Sequence, residues 1–408
     1  MPMRPEIRSV LPILIGASVM LSLTMGLRQS LGLFMPAITT DLAVTVTQFT
    51  LAISVQNLSW GLFQPIIGGL TPRFGHRPLM VVGGVAYVAG LLMLTLAQGY
   101  LAILLGAGLL IGLGMACSST ALAMSVAARS VPAAVRSLVL GIVSAAGSLG
   151  ALIAAPLGQW VMQSADWRWA LGVFVLMALA ILPAAWVAGR VDRLPPPPAL
   201  PDSADDKGVG DALTMARRDL PFVVMSLAYF VCGMQLIFLT THLPAYLELC
   251  GADPMLAATA LGVIGGMNVL GSLFFGWAGG RWSKQVLLGG IYIARSCVIA
   301  WYFLQFPTPE TTVIFAALMG FLWLGVGPLV AGSVVERFGL RWQAMLQGVT
   351  FFCHQIGSFL GALGGGLVFD LFGNYTHAVQ FGVTLGLVAG VVQIAVALAH
   401  PPRAPMPA

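Results

Sequence analysis

Long apolar segments recur along the whole chain and alternate with short polar loops. Each segment is long enough to cross ~30 Å of hydrocarbon as an α-helix that rises about 1.5 Å per residue. The pattern therefore predicts an all-α membrane protein with twelve transmembrane helices. They are expected at residues 10–35, 48–70, 79–97, 101–126, 138–162, 168–189, 220–246, 255–279, 286–305, 311–334, 345–368 and 376–399.

One long polar stretch interrupts this pattern, at residues 191–219. It holds a proline-rich run at residues 194–201, followed by several aspartates. Such a composition favours an extended and partly disordered chain. We therefore expect a cytoplasmic linker at residues 191–219 between two six-helix bundles, at residues 1–190 and 220–408.

The two predicted bundles repeat each other at an offset of 207 or 208 residues. In this register Gln235 corresponds to Arg28. Two related halves of this kind are a known plan for transporters, and they predict two pseudo-symmetric bundles. The matching pairs are Gly26 and Gly233, Gly68 and Gly276, Arg73 and Arg281, Gly141 and Gly348, and Gly150 and Gly357.

Charge is scarce and unevenly placed. Only 8% of the residues are charged, against about 25% in a soluble domain. The net charge of +5 does not indicate a nucleic-acid partner, because the basic residues are spread over short loops. Of the 19 lysines and arginines, all but Arg28, Arg168 and Arg295 fall on the side that holds both termini. This asymmetry predicts that the termini and the linker lie in the cytoplasm.

Arg28 and Arg295 lie inside apolar segments whose middles hold no acidic residue. A charge at this depth costs at least a few kcal/mol and is kept mainly where it has a partner or lines a path. Because a guanidinium matches a carboxylate with two hydrogen bonds, we expect Arg28 to anchor an anionic substrate. The alternative is a structural arginine that binds helix carbonyls, and for Arg295 the two interpretations are evenly balanced.

Other polar residues in the segments are further candidates. Gln235, Gln56 and Trp60 are candidate substrate contacts, with interhelical hydrogen bonding or packing as the alternative. His354 is a candidate for substrate contact and for proton coupling, since histidine titrates near neutral pH. His242, near the outer end of the seventh segment, is a candidate gate residue or an interface residue.

The loop after the second segment resembles the signature of the major facilitator superfamily. In residues 68–78, the positions Gly68, Arg73, Gly75 and Arg77 match it, and they are the candidate conformational motif. Pro72 stands where the family has an acidic residue, which puts the charge relay of that motif in doubt. The resemblance implies the major facilitator fold of twelve helices in two bundles.

A narrower resemblance is to the monocarboxylate porters and their bacterial relatives, including oxalate–formate antiporter-like proteins. The stretch from Arg28 through Ser30 to Phe34 is similar to the first segment of that group. Asn268 and Ser272 replace the Asp and Arg that many members carry in the eighth segment. The proton-linked mechanism of the group therefore does not carry over as a whole.

These observations predict a secondary transporter of a small organic anion, in particular a monocarboxylate, that works by alternating access with proton symport or anion exchange. We expect a monomer in the inner membrane of a bacterium, with no nucleic-acid partner, cofactor or metal site. No carboxylate pair in the segments and no Ser–His–Asp set is apparent, so no enzyme and no catalytic residue is predicted. The alternatives are efflux of amphipathic or neutral compounds and, third, an anion-binding receptor.

Overall fold

The computed structural model describes residues 5–118, 120–195, 208–252 and 254–401, and the described chain is mostly helical. Within the described residues, eighteen α-helices follow one another. They are α1 (Pro5–Gln29), α2 (Met35–Asp41), α3 (Val46–Phe74), α4 (His76–Thr95), α5 (Tyr100–Ile103), α6 (Ile111–Ser118), α7 (Thr120–Ser130), α8 (Ala133–Ser164), α9 (Trp167–Leu179), α10 (Ile181–Ala188), α11 (Val209–Arg218), α12 (Leu220–Leu249), α13 (Pro254–Ala278), α14 (Lys284–Phe303), α15 (Pro309–Phe321), α16 (Val326–Phe338), α17 (Gln343–Phe372) and α18 (Thr376–Ala399).

The described residues of all twelve predicted segments are mainly helical. Eleven helical stretches of the described chain are long and apolar enough to cross a membrane. The segment predicted at 48–70 is the remaining one. It forms the 29-residue helix α3, but Gln56, Asn57 and Gln64 lower its mean hydropathy.

Several membrane segments are built from more than one helix. The fourth comprises α5, a π-helical turn at Leu104–Leu110, α6 and α7. The sixth joins α9 and α10, and a 3₁₀ turn at Gly189–Arg193 follows it. A π turn widens the helix locally and disturbs the regular hydrogen-bond ladder. Glycines at 106 and 108 lie in this turn, where neighbouring backbones approach closely.

The predicted linker is partly helical, which corrects the expectation of an extended or disordered chain. Residues 209–218 form α11, with Ala212 and Ala216 buried and the rest of the helix mainly exposed. The four-residue spacing of these alanines places them on one face, so the helix can pack against its neighbour. The proline-rich run lies largely outside the described residues.

The described chain forms two compact units. The first comprises the described residues of Met1–Pro198 together with Leu340–Gly348, and the second those of Ala199–Gly339 and Val349–Ala408. In the first unit α1 packs on α8 and α10, and α4 packs on α6 and α9. In the second unit α14 packs on α18, and α13 packs on α15.

Glycines set the closest helix contacts inside each unit. A Cβ on Gly150 of α8 would lie 1.8 Å from the carbonyl oxygen of Ser22 in α1. In the second unit, a Cβ on Gly357 of α17 would lie 2.0 Å from the carbonyl oxygen of Phe230 in α12. Small residues let helix backbones approach in this way inside a membrane. The pair of glycines related by the sequence repeat therefore makes the same kind of contact in both units.

Candidate substrate-binding site

Arg28, Asn57 and Trp60 form a polar cluster in the first unit, called here the Arg28 cluster. Arg28 lies in the last turn of α1. Its Nη2 atom donates a hydrogen bond to Oδ1 of Asn57, and its Cζ atom lies 5.2 Å from the centre of the Trp60 ring. A guanidinium over an aromatic face is attracted by the negative charge of that face. The cluster therefore holds one positive charge between two side chains of α3.

Helix α3 presents both partners of Arg28 on one face, because Asn57 and Trp60 are three residues apart. The Nδ2 atom of Asn57 donates to the carbonyl oxygen of Ile53 at 3.1 Å. This bond orients the amide so that Oδ1 is the atom that meets Arg28. Trp60 is only 4% exposed, so its ring is a fixed wall of the cluster.

The Arg28 guanidinium keeps capacity for an anion. Its Nε atom is buried and has no hydrogen-bond partner within the described chain. The ion pairs found between described residues do not include Arg28. A planar guanidinium can bind both oxygens of a carboxylate at once. The cluster can therefore accept a carboxylate without first breaking an internal ion pair.

Gln56 lies next to the cluster in sequence but points elsewhere. Its side chain is fully buried, and Nε2 donates to the carbonyl oxygen of Ala107 at 2.6 Å. Ala107 belongs to the π-helical turn. The amide of Gln56 thus binds a carbonyl in the irregular part of the fourth membrane segment, which is the interhelical alternative considered from the sequence.

Gln235, the repeat counterpart of Arg28, is buried inside the second unit. Its Nε2 atom donates to Oγ of Ser296 at 3.1 Å and to the carbonyl oxygen of Gly382 at 2.9 Å. These bonds join α12 to α14 and α18. The side chain also lines an apolar cavity of the second unit.

Arg295 is fully enclosed in the second unit, with 0% of its surface exposed. Its Nη1 and Nη2 atoms donate to Sγ of Cys232 at 3.4 and 3.2 Å. Its Cζ atom lies 5.5 Å from the centre of the Tyr292 ring, and its Nε atom has no partner among the described residues. A substrate would reach this guanidinium only after the side chain moved.

His354 lies among aromatic rings on α17. Its ring stacks on Phe351 with centres 5.5 Å apart, and the centre of the Tyr229 ring is 4.6 Å away. Nδ1 lies 3.3 Å from Oε1 of Gln355. The imidazole is half-buried, so it combines partial exposure with a polar neighbour that can hold a proton in place.

His242 joins two helices of the second unit. Its Nε2 atom donates to the carbonyl oxygen of Ala362 at 2.9 Å, which links α12 to α17. The rings of Phe238 and Tyr375 each lie 5.2 Å from it, measured between ring centres. A Cβ on Gly365 would lie 2.4 Å from this Nε2 atom. These contacts favour the interface role considered from the sequence.

The candidate conformational motif lies at the turn between α3 and α4. Gly75 has φ of +83°, a conformation that suits glycine, and a Cβ there would lie 2.8 Å from Oδ2 of Asp192. Arg73 and Arg77 place their Cζ atoms 5.3 Å from the ring of Phe74 and 4.7 Å from that of Trp186, respectively. A Cβ on Gly68 would lie 2.3 Å from the backbone nitrogen of Met345.

Asp192 supplies a carboxylate to this turn, and sequence reasoning missed it. Its oxygens accept hydrogen bonds from the backbone nitrogens of His76 and Arg77, each at 2.9 Å. The carboxylate thus binds the first free N–H groups of α4, where negative charge is favourable. Pro72 stands where the motif has an acidic residue. The carboxylate at this turn comes instead from Asp192, which is 116 positions from His76 in the sequence.

A Ser–His–Asp row also exists, which corrects the expectation that no such set is present. Nδ1 of His76 lies 2.9 Å from Oδ1 of Asp192, and Nε2 lies 3.0 Å from Oγ of Ser125. The three residues are far apart in sequence, so only the fold brings them together. Ser125 is 2% exposed, and a substrate cannot reach it. These hydrogen bonds therefore link the start of α4 to α7 and to the 3₁₀ turn after α10.

Comparison with known proteins identifies relatives over most of the chain. The model of the Major Facilitator Superfamily matches residues 16–362. Monocarboxylate transporter 13 of Bos taurus is 26% identical over 328 residues, which are 80% of this chain and 74% of that protein. The fujikurins efflux protein of Gibberella fujikuroi is 23% identical over 337 residues, which are 80% of this chain and 67% of that protein.

A solved structure shares the fold. The crystal structure of the fucose:proton symporter FucP of E. coli matches with a TM-score of 0.74 and 15% identity, over 97% of this chain and 99% of that one. The likeness confirms the fold predicted from the sequence, a membrane protein of two helical bundles.

Proposed function

Because the chain belongs to the Major Facilitator Superfamily, a group of multi-pass membrane transporters, we propose that it is a secondary transporter of a small organic anion, specifically a monocarboxylate. The observation that carries this proposal is the Arg28 guanidinium. It lies in a membrane segment, binds a neutral amide and an aromatic face, and keeps a buried Nε donor without a partner. A carboxylate is the ligand that best matches such a group.

Each side chain of the Arg28 cluster has its own role in this proposal. Arg28 binds the carboxylate, and Asn57 holds the guanidinium in place through its Oδ1 atom. Trp60 covers the other face of the guanidinium and offers an apolar wall to the body of the acid. The monocarboxylate transporter and this chain are similar over most of their lengths, which supports the same class of substrate.

Energy for transport comes from proton symport or from exchange of a second anion. His354 is the proposed coupling residue, because histidine titrates near neutral pH and its ring is half-buried beside Gln355. The positive charges on the short loops support cytoplasmic termini, and we place the protein in the inner membrane of a bacterium as a monomer.

The test is uptake of labelled monocarboxylates and dicarboxylates into proteoliposomes, with and without an inward proton gradient. The wild type is compared with Arg28→Ala and with Arg217→Ala, which removes an exposed arginine of α11. We expect one class of acid to be taken up by the wild type and by Arg217→Ala, and lost in Arg28→Ala. Equal uptake by all three proteins would refute the role of Arg28.

The comparison of uptake with and without a proton gradient distinguishes proton symport from anion exchange. Stimulation by an inward proton gradient that disappears in His354→Gln supports proton symport through this side chain. Uptake that depends on acid loaded inside the vesicles, with no response to the gradient, supports exchange.

Efflux of amphipathic compounds is the second candidate, favoured by the similarity to the fujikurins efflux protein. In that case Arg28 is a structural residue. Inside-out vesicles would then accumulate neutral amphipathic compounds, and the Arg28→Ala variant would transport them as well as the wild type does.

A further inference from the structure

The second unit contains an apolar cavity of about 350 Å³ between α12, α17 and α18. Apolar side chains and glycines form most of its wall, among them Phe230, Met234, Phe238, Leu360, Gly364 and Gly382. All of its lining residues belong to the second unit. None of these residues belongs to the Arg28 cluster, which is part of the first unit.

The sequence repeat identifies what fills the same place in the first unit. Helix α9 starts after Asp166, whose Oδ1 accepts from the backbone nitrogen of Arg168 at 2.7 Å. Helix α18 starts at Thr376, whose backbone nitrogen donates to Oδ1 of Asn374 at 3.0 Å. Both bonds span two residues, and Asp166 and Asn374 lie 208 positions apart, which is an offset of the sequence repeat. The eighth residue after Asp166 is Phe174, and the eighth after Asn374 is Gly382.

In the first unit an aromatic ring occupies this position. Phe174 is fully buried, and its ring packs edge-on against Phe34 with centres 5.2 Å apart. A Cβ on Gly158 of α8 would lie 2.9 Å from two carbons of the Phe174 ring. The glycine of α8 thus makes room for the ring of α9, and the groove between the helices is filled.

In the second unit the ring is missing. Gly382 takes the place of Phe174, and a Cβ built on it would meet no atom within 4 Å. Gly365 corresponds to Gly158 and is already contacted by the rings of His242 and Phe238, which lie 2.4 and 2.8 Å from a Cβ built there, whereas Gly364 next to it faces open space. The glycine at position 382, where the first unit has Phe174, therefore leaves the space beside Gly364 open.

The cavity has the size and chemistry of a site for an apolar ring. An apolar cavity of about 150 Å³ is large enough to bind benzene, and this one is more than twice as large. The Nε2 atom of Gln235 is already bonded at its wall. Phe381 and Leu360 also line it and are 63% and 45% exposed, so a molecule can enter within the membrane-spanning parts of α17 and α18.

We propose that this cavity binds the uncharged ring of a lipophilic molecule taken from the bilayer, in the space that the absent side chain at Gly382 leaves open. The ligand class is an aromatic or alicyclic compound without charge, since no carboxylate, lysine or arginine is among the lining residues whose side chains the structure describes. The proposal does not involve Arg28, Asn57 or Trp60, which carry the proposed carboxylate site.

The test is photolabelling of the full-length protein in lipid nanodiscs with benzophenone, followed by mass spectrometry of the labelled peptides. Naphthalene in excess serves as the competitor. Gly382→Phe returns the ring found in the first unit, and Gly364→Leu narrows the same cavity. Gly290→Phe is the matched control, because Gly290 of α14 is exposed and also faces open space.

We expect labels on residues of α17 and α18 that line the cavity, and naphthalene should suppress them. Gly382→Phe should lower this labelling at least about tenfold, which corresponds to about 1.4 kcal/mol of binding free energy, and should raise the thermal midpoint of unfolding. Gly290→Phe should change neither the labelling of the cavity residues nor the thermal midpoint of unfolding. If Gly382→Phe does not fold, Gly364→Leu makes the same comparison.

Two results would overturn the proposal. One is labelling of the cavity residues that is equal in the wild type and in the folded filling variant. The other is labelling spread evenly over exposed apolar residues and insensitive to naphthalene.

Discussion

The guanidinium of Arg28 donates from Nη2 to Oδ1 of Asn57, so a charged group inside a membrane segment has a neutral amide as its hydrogen-bond partner. An amide orients the guanidinium but leaves its charge uncompensated. A negatively charged ligand is then the group that gains most from binding there. This relationship distinguishes Arg28 from Arg337, which forms an ion pair with Asp219 in the second unit.

Asn57→Asp should inhibit transport. The new carboxylate would stand where Oδ1 of Asn57 now meets Arg28 and would form an internal ion pair that competes with the substrate. We expect KM for the transported acid to rise about tenfold or more, while Asn57→Ala, which leaves the charge of Arg28 unpaired, should have a smaller effect. Initial uptake rates in proteoliposomes measure both. A KM for Asn57→Asp equal to that of the wild type would show that Arg28 does not bind the acid.

Arg295→Met should leave substrate affinity unchanged. Arg295 is fully buried and has a thiol as the acceptor of its two hydrogen bonds. Replacement of a buried, poorly compensated charge by an apolar side chain of similar length is often neutral or stabilising. We expect KM within about twofold of the wild type and an undiminished thermal midpoint. A large rise in KM in a stable variant would instead assign Arg295 to the substrate.

Gly150→Ala should destabilise the first unit. Its new Cβ would lie 1.8 Å from the carbonyl oxygen of Ser22, so α8 would have to move away from α1. Overpacking of this kind costs about 1–3 kcal/mol. Thermal unfolding in detergent measures the effect, and Gly172→Ala is the control because a Cβ there meets no atom within 4 Å. Equal midpoints for the two variants would argue against close packing of α1 on α8.

Asp192→Asn should weaken the turn between α3 and α4. The carboxylate accepts hydrogen bonds from two backbone nitrogens and from the His76 side chain, and an amide offers one acceptor oxygen. Loss of bonds to a charged acceptor costs about 1–3 kcal/mol. We expect a lower thermal midpoint for Asp192→Asn, whereas Asp211→Asn on exposed α11 should match the wild type. A midpoint unchanged in Asp192→Asn would remove its proposed role in the turn.

The fold could be predicted from the sequence because its determinants are local and periodic. Apolar length marks each membrane helix, and the repeat that relates Gly26 and Gly150 to Gly233 and Gly357 reappears as close glycine contacts in both units. Helix α11 was missed because the prolines and aspartates of residues 191–219 determined the interpretation of the whole stretch, including the short amphipathic run at 209–218.

The details of the site depend on contacts between distant residues and were harder to predict. Arg28 and Trp60 were both expected near a substrate, but Asn57 as the partner of Arg28 follows only from how α1 and α3 are rotated. The same holds for Gln56 and Arg295, whose partners Ala107 and Cys232 lie 51 and 63 residues away. Asp192 lies more than a hundred residues from the turn it binds.

The most direct measurement compares an acid with its amide. The acid that the wild type takes up fastest and the uncharged amide of the same acid differ in charge but hardly in shape. We expect the wild type to prefer the acid by at least about tenfold in kcat/KM, and Arg28→Gln to lose most of this preference, since a charged hydrogen-bond pair is replaced by a neutral one. A preference for the acid that persists undiminished in a folded Arg28→Gln variant would contradict recognition of the carboxylate by Arg28.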